Sequence, residues 1–204
     1  YNNVGKKANS LLGSKVFGYH ADMKAYEYNL NEAKKLLAEA GYPDGFETTL
    51  KTMDSKERIN MAEVLQSQLK GIGVKVNIEV LEYGTFIQQV NSGDSEMFIL
   101  SWRNATGDAD YNQYNLFHTN SQGASGNTFF YSNKEVDSLI EAARKEKDQN
   151  KRIDLYAKSQ ELEMEEAVYI PVRVIENLAA VAKNVDGFDI SPSGYLEIND
   201  VSIK

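Results

Sequence analysis

Apolar residues alternate with polar ones most regularly between residues 74 and 80, where every second side chain is Val or Ile. This period-two pattern predicts a half-buried strand. In residues 57–72 the apolar positions recur every three or four residues, which predicts a helix, and residues 46–53 predict a further strand. Strand, helix and strand over residues 46–81 therefore make a βαβ unit, and we expect its crossover to be right-handed.

The flanking patterns extend this arrangement on both sides. Residues 31–40 predict a helix that Asn31 caps, and Gly41 follows at the position where a helix end favours a left-handed residue. Residues 83–92 predict a short helix. The apolar run at 97–102 predicts a short strand that is buried on both faces.

The second half of the chain begins with a long polar segment, residues 103–131, which has no helical stripe and predicts a loop. Open α/β sheets usually place their ligands at such a loop, at the end of a buried strand. Two helices at 133–147 and 150–166 follow, and then a hairpin of strands at 169–175 and 178–182. We therefore predict an α/β fold in which helices cover a mixed sheet that contains the βαβ unit.

Charge and cysteine content exclude several classes of protein. The formal net charge is −8 and there is no basic run, so a nucleic-acid backbone would be repelled. The absence of cysteine excludes disulfides and thiolate metal sites. No apolar stretch approaches the roughly 20 residues that span a bilayer. The start at Tyr1 without an initiator Met indicates a mature product or an excised fragment, and we expect a monomer.

Catalytic and metal-binding motifs are also missing from the sequence. His20 and His118 are the only histidines, and we interpret His118 as a structural or surface residue. There is no HExxH, GxGxxG or P-loop motif, so neither a metal nor a cofactor is expected. Asp108 and Asp110 could supply the carboxylate pair of a glycosidase. A carboxylate-dependent hydrolase is therefore the alternative to a protein that is not an enzyme.

Several segments resemble the bacterial solute-binding proteins of family 5, in the order in which that family has them. One of them is Thr-Gly-Asp-Ala-Asp-Tyr at 106–111, which follows Ser101-Trp102. The matching segments are residues 28–42, 60–76, 101–111, 133–140, 166–171, 183–188 and 199–203. Each match alone is weak, but together and in order they identify the chain as a member of this family.

The resemblance implies a lobe of the periplasmic-binding-protein type. Residues 1–204 are expected to form the C-terminal ligand-binding lobe without the N-terminal lobe, and residues 183–204 to return towards that lobe. The implied function is the substrate-binding component of a peptide ABC importer, which captures oligopeptides or small peptides between two lobes. The implied partner is a set of transmembrane permease subunits, and the implied location is extracellular or periplasmic, with a lipoprotein anchor. Glutathione, a nickel chelate or a sugar is the alternative ligand, and a bare interaction module is a further alternative.

The resemblance also places the ligand at the polar loop. Trp102 is predicted to be a flat apolar wall of the site, with core packing as the alternative, and Asn104, Thr106 and Asp108 are predicted to supply polar contacts. Dipeptide- and oligopeptide-binding relatives often have an Asp three residues after this Trp to pair with the peptide amine, and Ala105 stands there instead. We therefore predict that Asp108 meets the ligand ammonium.

Three neighbouring residues complete the predicted site. We expect Asp110 to cap the turn that follows rather than to contact ligand. For Tyr111 and Tyr114, packing within the protein and a place in the ligand cleft are both open. The Thr-Gly-acid-Ala-Asp arrangement of this loop is closer to the glutathione-binding branch of the family, which leaves small peptides and oligopeptides both open as ligands.

Overall fold

The computed structural model describes residues 5–23, 26–191 and 193–204, which divide between two compact units. Residues 26–101 and 122–130 form one, which we call the sheet unit. The described residues before 24, residues 102–121 and the described residues from 131 onwards form the other, which we call the helical unit. In the described residues, no helix is both long and apolar enough to span a membrane.

The described residues form six α-helices and nine strands. The α-helices are α1 Leu30–Glu39, α2 Lys56–Lys70, α3 Tyr83–Asn91, α4 Ala109–Phe117, α5 Lys134–Lys145 and α6 Gln149–Glu165. The strands are β1 Lys6–Lys7, β2 Glu47–Met53, β3 Lys75–Leu81, β4 Met97–Phe98, β5 Arg173–Val174, β6 Val185–Asp186, β7 Asp189–Ile190, β8 Leu196–Glu197 and β9 Ser202–Ile203.

The sheet unit is built on the predicted βαβ arrangement. Its sheet has the strand order β3-β2-β4, and both pairs are parallel. Leu50 in the central strand lies opposite Ile78 on one side and Met97 on the other. An aliphatic cluster of Leu50, Ala62, Val74 and Val76 fills the space between the sheet and α2. The strand predicted at 97–102 is shorter than expected, since β4 ends at Phe98.

The turns before β2 and β3 touch through their backbones. Gly45 and Gly73 both have positive φ, at +82° and +87°. A Cβ atom on Gly45 would lie 2.1 Å from the carbonyl oxygen of Gly73, so no side chain fits there. At α1 the cap is Asn29 rather than the predicted Asn31, because the Asn29 side chain accepts the free N–H groups of Asn31 and Glu32.

The helical unit contains the main error of the sequence prediction. Residues 103–131 were expected to form a loop, but Ala109–Phe117 is helix α4. Its apolar cluster joins Leu12, Ala109, Ala143 and Tyr156. Buried polar side chains lie in the same unit, on α4 and α6: Asn112, Gln113, Ser159, Gln160 and Glu163. The core of this unit is therefore partly polar.

The predicted hairpin at 169–182 is wrong. Only Arg173–Val174 forms a strand there, and it pairs in antiparallel fashion with Lys6–Lys7, while residues 178–182 form none. β6 pairs with β9 and β7 with β8, both antiparallel. The antiparallel pairs thus lie in separate two-stranded sheets instead of one mixed sheet, and the α/β class itself is confirmed.

Candidate functional site

The loop that precedes α4 is held together by the side chain of Asn104. Its Oδ1 accepts the backbone N–H groups of Gly107 at 2.6 Å and Thr106 at 3.1 Å. Its Nδ2 donates to the carbonyl oxygen of Asp108 at 2.8 Å and to Oδ1 of Asn112 at 3.0 Å. Gly107 has a φ of +76°, which favours glycine. Asn104 therefore fixes the path of the loop into the helix.

Asp108 is the N-cap of α4, and its carboxylate has two partners within the protein. Its Oδ1 accepts the backbone N–H of Asp110 at 2.9 Å. The guanidinium of Arg152 donates to both carboxylate oxygens, at 2.6 and 2.9 Å, in the bidentate geometry that gives strong ion pairs. The prediction that Asp110 caps this turn is thus wrong, since Asp108 does so.

Arg152 connects this cap to the helices behind it. Its Nε donates to the carbonyl oxygen of Ala143 at 3.1 Å, and one Nη donates to the Tyr156 hydroxyl at 3.2 Å. The hydrogen bond to Asp108 is the main reason that the pKa of Arg152 is raised above its ordinary value. Burial raises the pKa of Tyr156 to about 12. At neutral pH the guanidinium is therefore charged and the phenol is neutral.

A shallow concavity of about 280 Å³ opens beside Asp108. The guanidinium groups of Arg152 and Arg144 both line this concavity. The Nε of Arg144 lies 3.0 Å from Oδ1 of Asp110, and the Arg144 guanidinium lies 4.0 Å from the centre of the Tyr114 ring. The lining residues are Thr106, Asp108, Asp110, Tyr111, Tyr114, Asn115, Arg144 and Arg152. Among the described residues, no hydrogen-bond partner of the Arg144 Nη groups is found, so this edge can donate to a carboxylate.

Trp102 lies at the start of the loop, half-buried, with its ring 5.7 Å from that of Tyr111. Its indole Nε1 is buried and has no acceptor among the described residues. An indole N–H usually finds a partner when it is buried. The contact between the two tilted rings gives Tyr111 a packing role. The unpaired indole donor leaves ligand contact by Trp102 as a prediction.

The structure brings three of the four predicted site residues together. Asn104, Thr106 and Asp108 share hydrogen bonds within one loop, and Thr106 and Asp108 both line the concavity. Ligand contact by any of the four stays a prediction. Sequence reasoning missed Arg144 and Arg152, because they lie on α5 and at the start of α6, far along the chain, and no motif marks them.

His118 has the structural role expected of it. It is buried at the end of α4, and its Nδ1 accepts the backbone N–H of Asn120 at 3.1 Å. Its Nε2 lies 3.3 Å from a carboxylate oxygen of Glu141. The described part of the chain contains no group of three His, Cys, Asp or Glu residues arranged to hold a metal ion.

Comparison with known proteins gives consistent matches. The model of the bacterial extracellular solute-binding proteins, family 5 Middle, matches residues 1–124. The glutathione-binding protein GsiB of Salmonella typhimurium is 35% identical over 193 residues, which are 91% of this chain and 38% of that protein.

Two solved structures with bound peptides are also similar. The periplasmic binding protein DppA of Helicobacter pylori, in complex with the peptide STSA, is 33% identical with a TM-score of 0.81 over 85% of this chain and 34% of its own. The dipeptide-binding protein of Pseudoalteromonas sp. SM9913, in complex with Met-Leu, is 28% identical with a TM-score of 0.86 over 100% of this chain and 41% of its own. The chain thus spans well under half the length of these relatives.

Proposed function

The chain belongs to the bacterial extracellular solute-binding proteins of family 5, and from this premise we propose that it is the C-terminal ligand-binding lobe of a peptide-binding protein that serves an ABC importer. Proteins of this family bind solutes and are not enzymes. In this proposal the complete protein captures a small peptide between two lobes and delivers it to permease subunits in the membrane. We place it outside the cytoplasmic membrane, held there by a lipid anchor on the complete protein.

One observation supports a peptide ligand above the others. The dipeptide-binding protein of Pseudoalteromonas was solved with Met-Leu bound, and its fold matches 100% of this chain. A peptide offers an ammonium, a carboxylate and backbone hydrogen-bonding groups, and charged or amide side chains with fixed geometry suit all three. The concavity beside Asp108 presents such groups, with two carboxylates and two guanidinium groups around its wall.

Glutathione is the second candidate, because the 35% identical relative is a glutathione-binding protein. Glutathione is itself a small peptide and carries two carboxylates. The unpaired Nη edge of Arg144 is suited to one of them, since a guanidinium matches the geometry of a carboxylate.

We further propose that Trp102 forms an apolar wall for the ligand and that Thr106 contacts it through its hydroxyl. Asn104 and Asp108 hold the loop in place from behind. A ligand ammonium that approaches Asp108 has to share the carboxylate with Arg152. Asp108 therefore supports the site whether or not it also contacts the ligand.

The division into lobes is part of this proposal. Apolar side chains are exposed along residues 170–203, among them Ile170 at 73%, Leu178 at 77% and Ile203 at 77%. Exposed apolar side chains in such numbers indicate a surface that a partner covers. We propose that residues 183–204 and the segment before them pack against the rest of the complete protein.

The test uses the complete protein, with titration calorimetry against Met-Leu, Ser-Thr-Ser-Ala and oxidised and reduced glutathione. We expect affinity for at least one of them to be micromolar or better in the complete protein. The 204-residue chain alone should bind the same ligand at least tenfold more weakly, because half of the cleft is missing; each ~1.4 kcal/mol lost is a factor of ten. Failure of all four ligands to bind the complete protein would overturn the peptide-binding proposal.

The role of Asp108 has its own test in the complete protein. Asp108→Asn removes one charge from the bidentate pair. We expect it to weaken binding of a free-amine peptide more than tenfold, at a cost of about 2 to 5 kcal/mol. An N-acetylated peptide distinguishes direct contact from support of the loop. If Asp108 meets the ammonium, only the free-amine peptide loses affinity, and if Asp108 acts through the loop, both lose it equally.

Asp154→Asn is the matched control, because Asp154 is exposed on α6 and does not line the concavity. We expect it to change peptide affinity less than threefold. Unchanged affinity of Asp108→Asn for both peptides would show that the loop does not depend on this carboxylate.

A further inference from the structure

Three polar side chains form a closed triangle between α4 and α6. Gln113, Ser159 and Glu163 are all buried, with exposures of 1%, 0% and 0%. The Ser159 hydroxyl lies 2.7 Å from Oε1 of Gln113 and 2.9 Å from Oε1 of Glu163. Nε2 of Gln113 lies 3.3 Å from Oε2 of Glu163, which completes the ring.

Counting hydrogens decides the protonation state of this ring. The Ser159 hydroxyl has one hydrogen, but the oxygens of Gln113 and Glu163 both lie within hydrogen-bonding distance of it. The Gln113 amide cannot supply the missing hydrogen, because its NH₂ group already faces the other oxygen of Glu163. An ionised Glu163 would leave one edge of the triangle without a hydrogen.

A proton on Glu163 gives each edge its own hydrogen. The carboxyl O–H then donates to Ser159, the Ser159 hydroxyl donates to Gln113, and the Gln113 amide donates back to Glu163. Hydrogen bonds that run in one direction around a ring strengthen one another, and every buried polar atom of the ring is satisfied.

The surroundings also favour the neutral acid. Among the described residues Glu163 has no cationic partner, and a buried carboxylate without one is costly. The titratable groups that Glu163 affects from other segments are the phenols of Tyr131 and Tyr169. Burial raises the pKa of both phenols, and so both are neutral at neutral pH. α4 contributes the uncharged Gln113 amide.

We propose that Glu163 carries a proton in the folded protein at neutral pH, so that folding of the helical unit takes up one proton and weakens as the solution becomes alkaline. Burial raises the pKa of Glu163 to about 8, against the opposing effect of its hydrogen bonds. Between the ordinary value of 4.5 and this raised value, the folded chain holds a proton that the unfolded chain releases. The contribution of Glu163 to the free energy of unfolding is therefore largest below pH 4.5 and falls as the pH rises towards 8. Above that pH the contribution is constant.

The experiment measures the unfolding equilibrium constant of the 204-residue chain against pH from 5 to 8, for wild type, Glu163→Gln and Glu165→Gln. The glutamine amide can donate to Ser159 as the protonated acid does, so Glu163→Gln keeps the ring without a titrating group. Glu165 is the control because it is exposed on the same helix. For each unit by which the pH rises, the unfolding constant of wild type and of Glu165→Gln should increase. We expect this increase to exceed that of Glu163→Gln by a factor of up to about ten. Equal slopes in all three proteins would overturn the proposal.

A second measurement does not depend on any variant. Carbon-13 NMR of wild type with labelled glutamate follows each side-chain carboxyl through its titration. We expect one glutamate carboxyl to titrate near neutral pH or above. If every glutamate carboxyl titrates below about pH 5.5, Glu163 is ionised in the folded protein and the proposal fails.

Discussion

The two units differ in what fills their cores. In the sheet unit the core cluster between sheet and α2 consists of Leu50, Ala62, Val74 and Val76. In the helical unit Tyr156 and Phe117 share the interior with amides, a hydroxyl and a carboxyl group on α4 and α6. The first core depends on apolar area removed from water, and the second depends also on particular donors meeting particular acceptors.

The difference predicts which substitutions should destabilise each unit. Apolar burial has no direction, so the aliphatic cluster of the sheet unit should respond mainly to lost volume. A buried polar group that loses its partner costs its full desolvation, so the helical unit should respond to single polar substitutions that preserve volume.

Leu50→Ala should be the most damaging substitution. Leu50 is 1% exposed and central to the aliphatic cluster, so the change leaves a cavity between the sheet and α2. We expect a loss of about 2 to 5 kcal/mol in unfolding free energy. Denaturant unfolding followed by far-ultraviolet circular dichroism measures it, and amide hydrogen exchange in β2 and β3 places the loss in the sheet unit.

Val64→Ala is the matched control, since Val64 is 56% exposed on α2. It should change stability by less than about 0.5 kcal/mol. Similar losses for Leu50→Ala and Val64→Ala would mean that burial in this cluster does not control the stability of the sheet unit.

The same contrast explains which elements could be predicted from the sequence. Helix α2 and strands β2 and β3 were predicted to within two residues at each end, because their apolar faces repeat at the period of the element. Helix α4 was missed because it buries Asn112 and Gln113 beside Leu116 and Phe117, so its buried face shows no apolar stripe. The one usable signal was Asp108 as an N-cap, and that role had been assigned to Asp110.

The false hairpin at 169–182 has a different cause. The segment is an almost continuous apolar run, as in a buried strand, but Ile170, Ile175 and Leu178 are exposed in this chain. These three side chains therefore do not belong to the core of either unit. Within the site, the sequence could place Asn104, Thr106 and Asp108 on one loop, but pairing with Arg152 requires contact across 44 residues, which spacing alone does not reveal.

Ser159→Ala should have the next largest effect, although it removes a single oxygen atom. The hydroxyl bridges Gln113 and Glu163, and its loss leaves two buried polar groups each short of a partner. We expect the free energy of unfolding to fall by about 1 to 3 kcal/mol. Fluorescence of Trp102, the single tryptophan, reports this loss in the helical unit.

Ser138→Ala provides the comparison for that measurement. Ser138 is exposed on α5, and its hydroxyl donates only to the carbonyl oxygen of Lys134, one turn earlier. Its replacement should change stability by no more than about 0.5 kcal/mol. If the two alanine variants are equally stable, the buried triangle makes no net contribution to the stability of the helical unit.

Tyr156→Phe should have the smallest measurable effect, and it isolates a polar contribution most cleanly. The phenol ring is fully buried in the apolar cluster of the helical unit, and the substitution keeps that ring in place. Only the hydroxyl that accepts from Arg152 at 3.2 Å is lost, while Arg152 keeps its bonds to Asp108 and Ala143. We therefore expect a loss of about 0.5 to 1.5 kcal/mol in denaturant unfolding. Because the pKa of Tyr156 is raised to about 12, this loss should be the same at pH 6 and pH 9. A loss that changes between these two pH values would show that the hydroxyl acts through another titrating group, and a loss above about 3 kcal/mol would mean that the ring itself has moved.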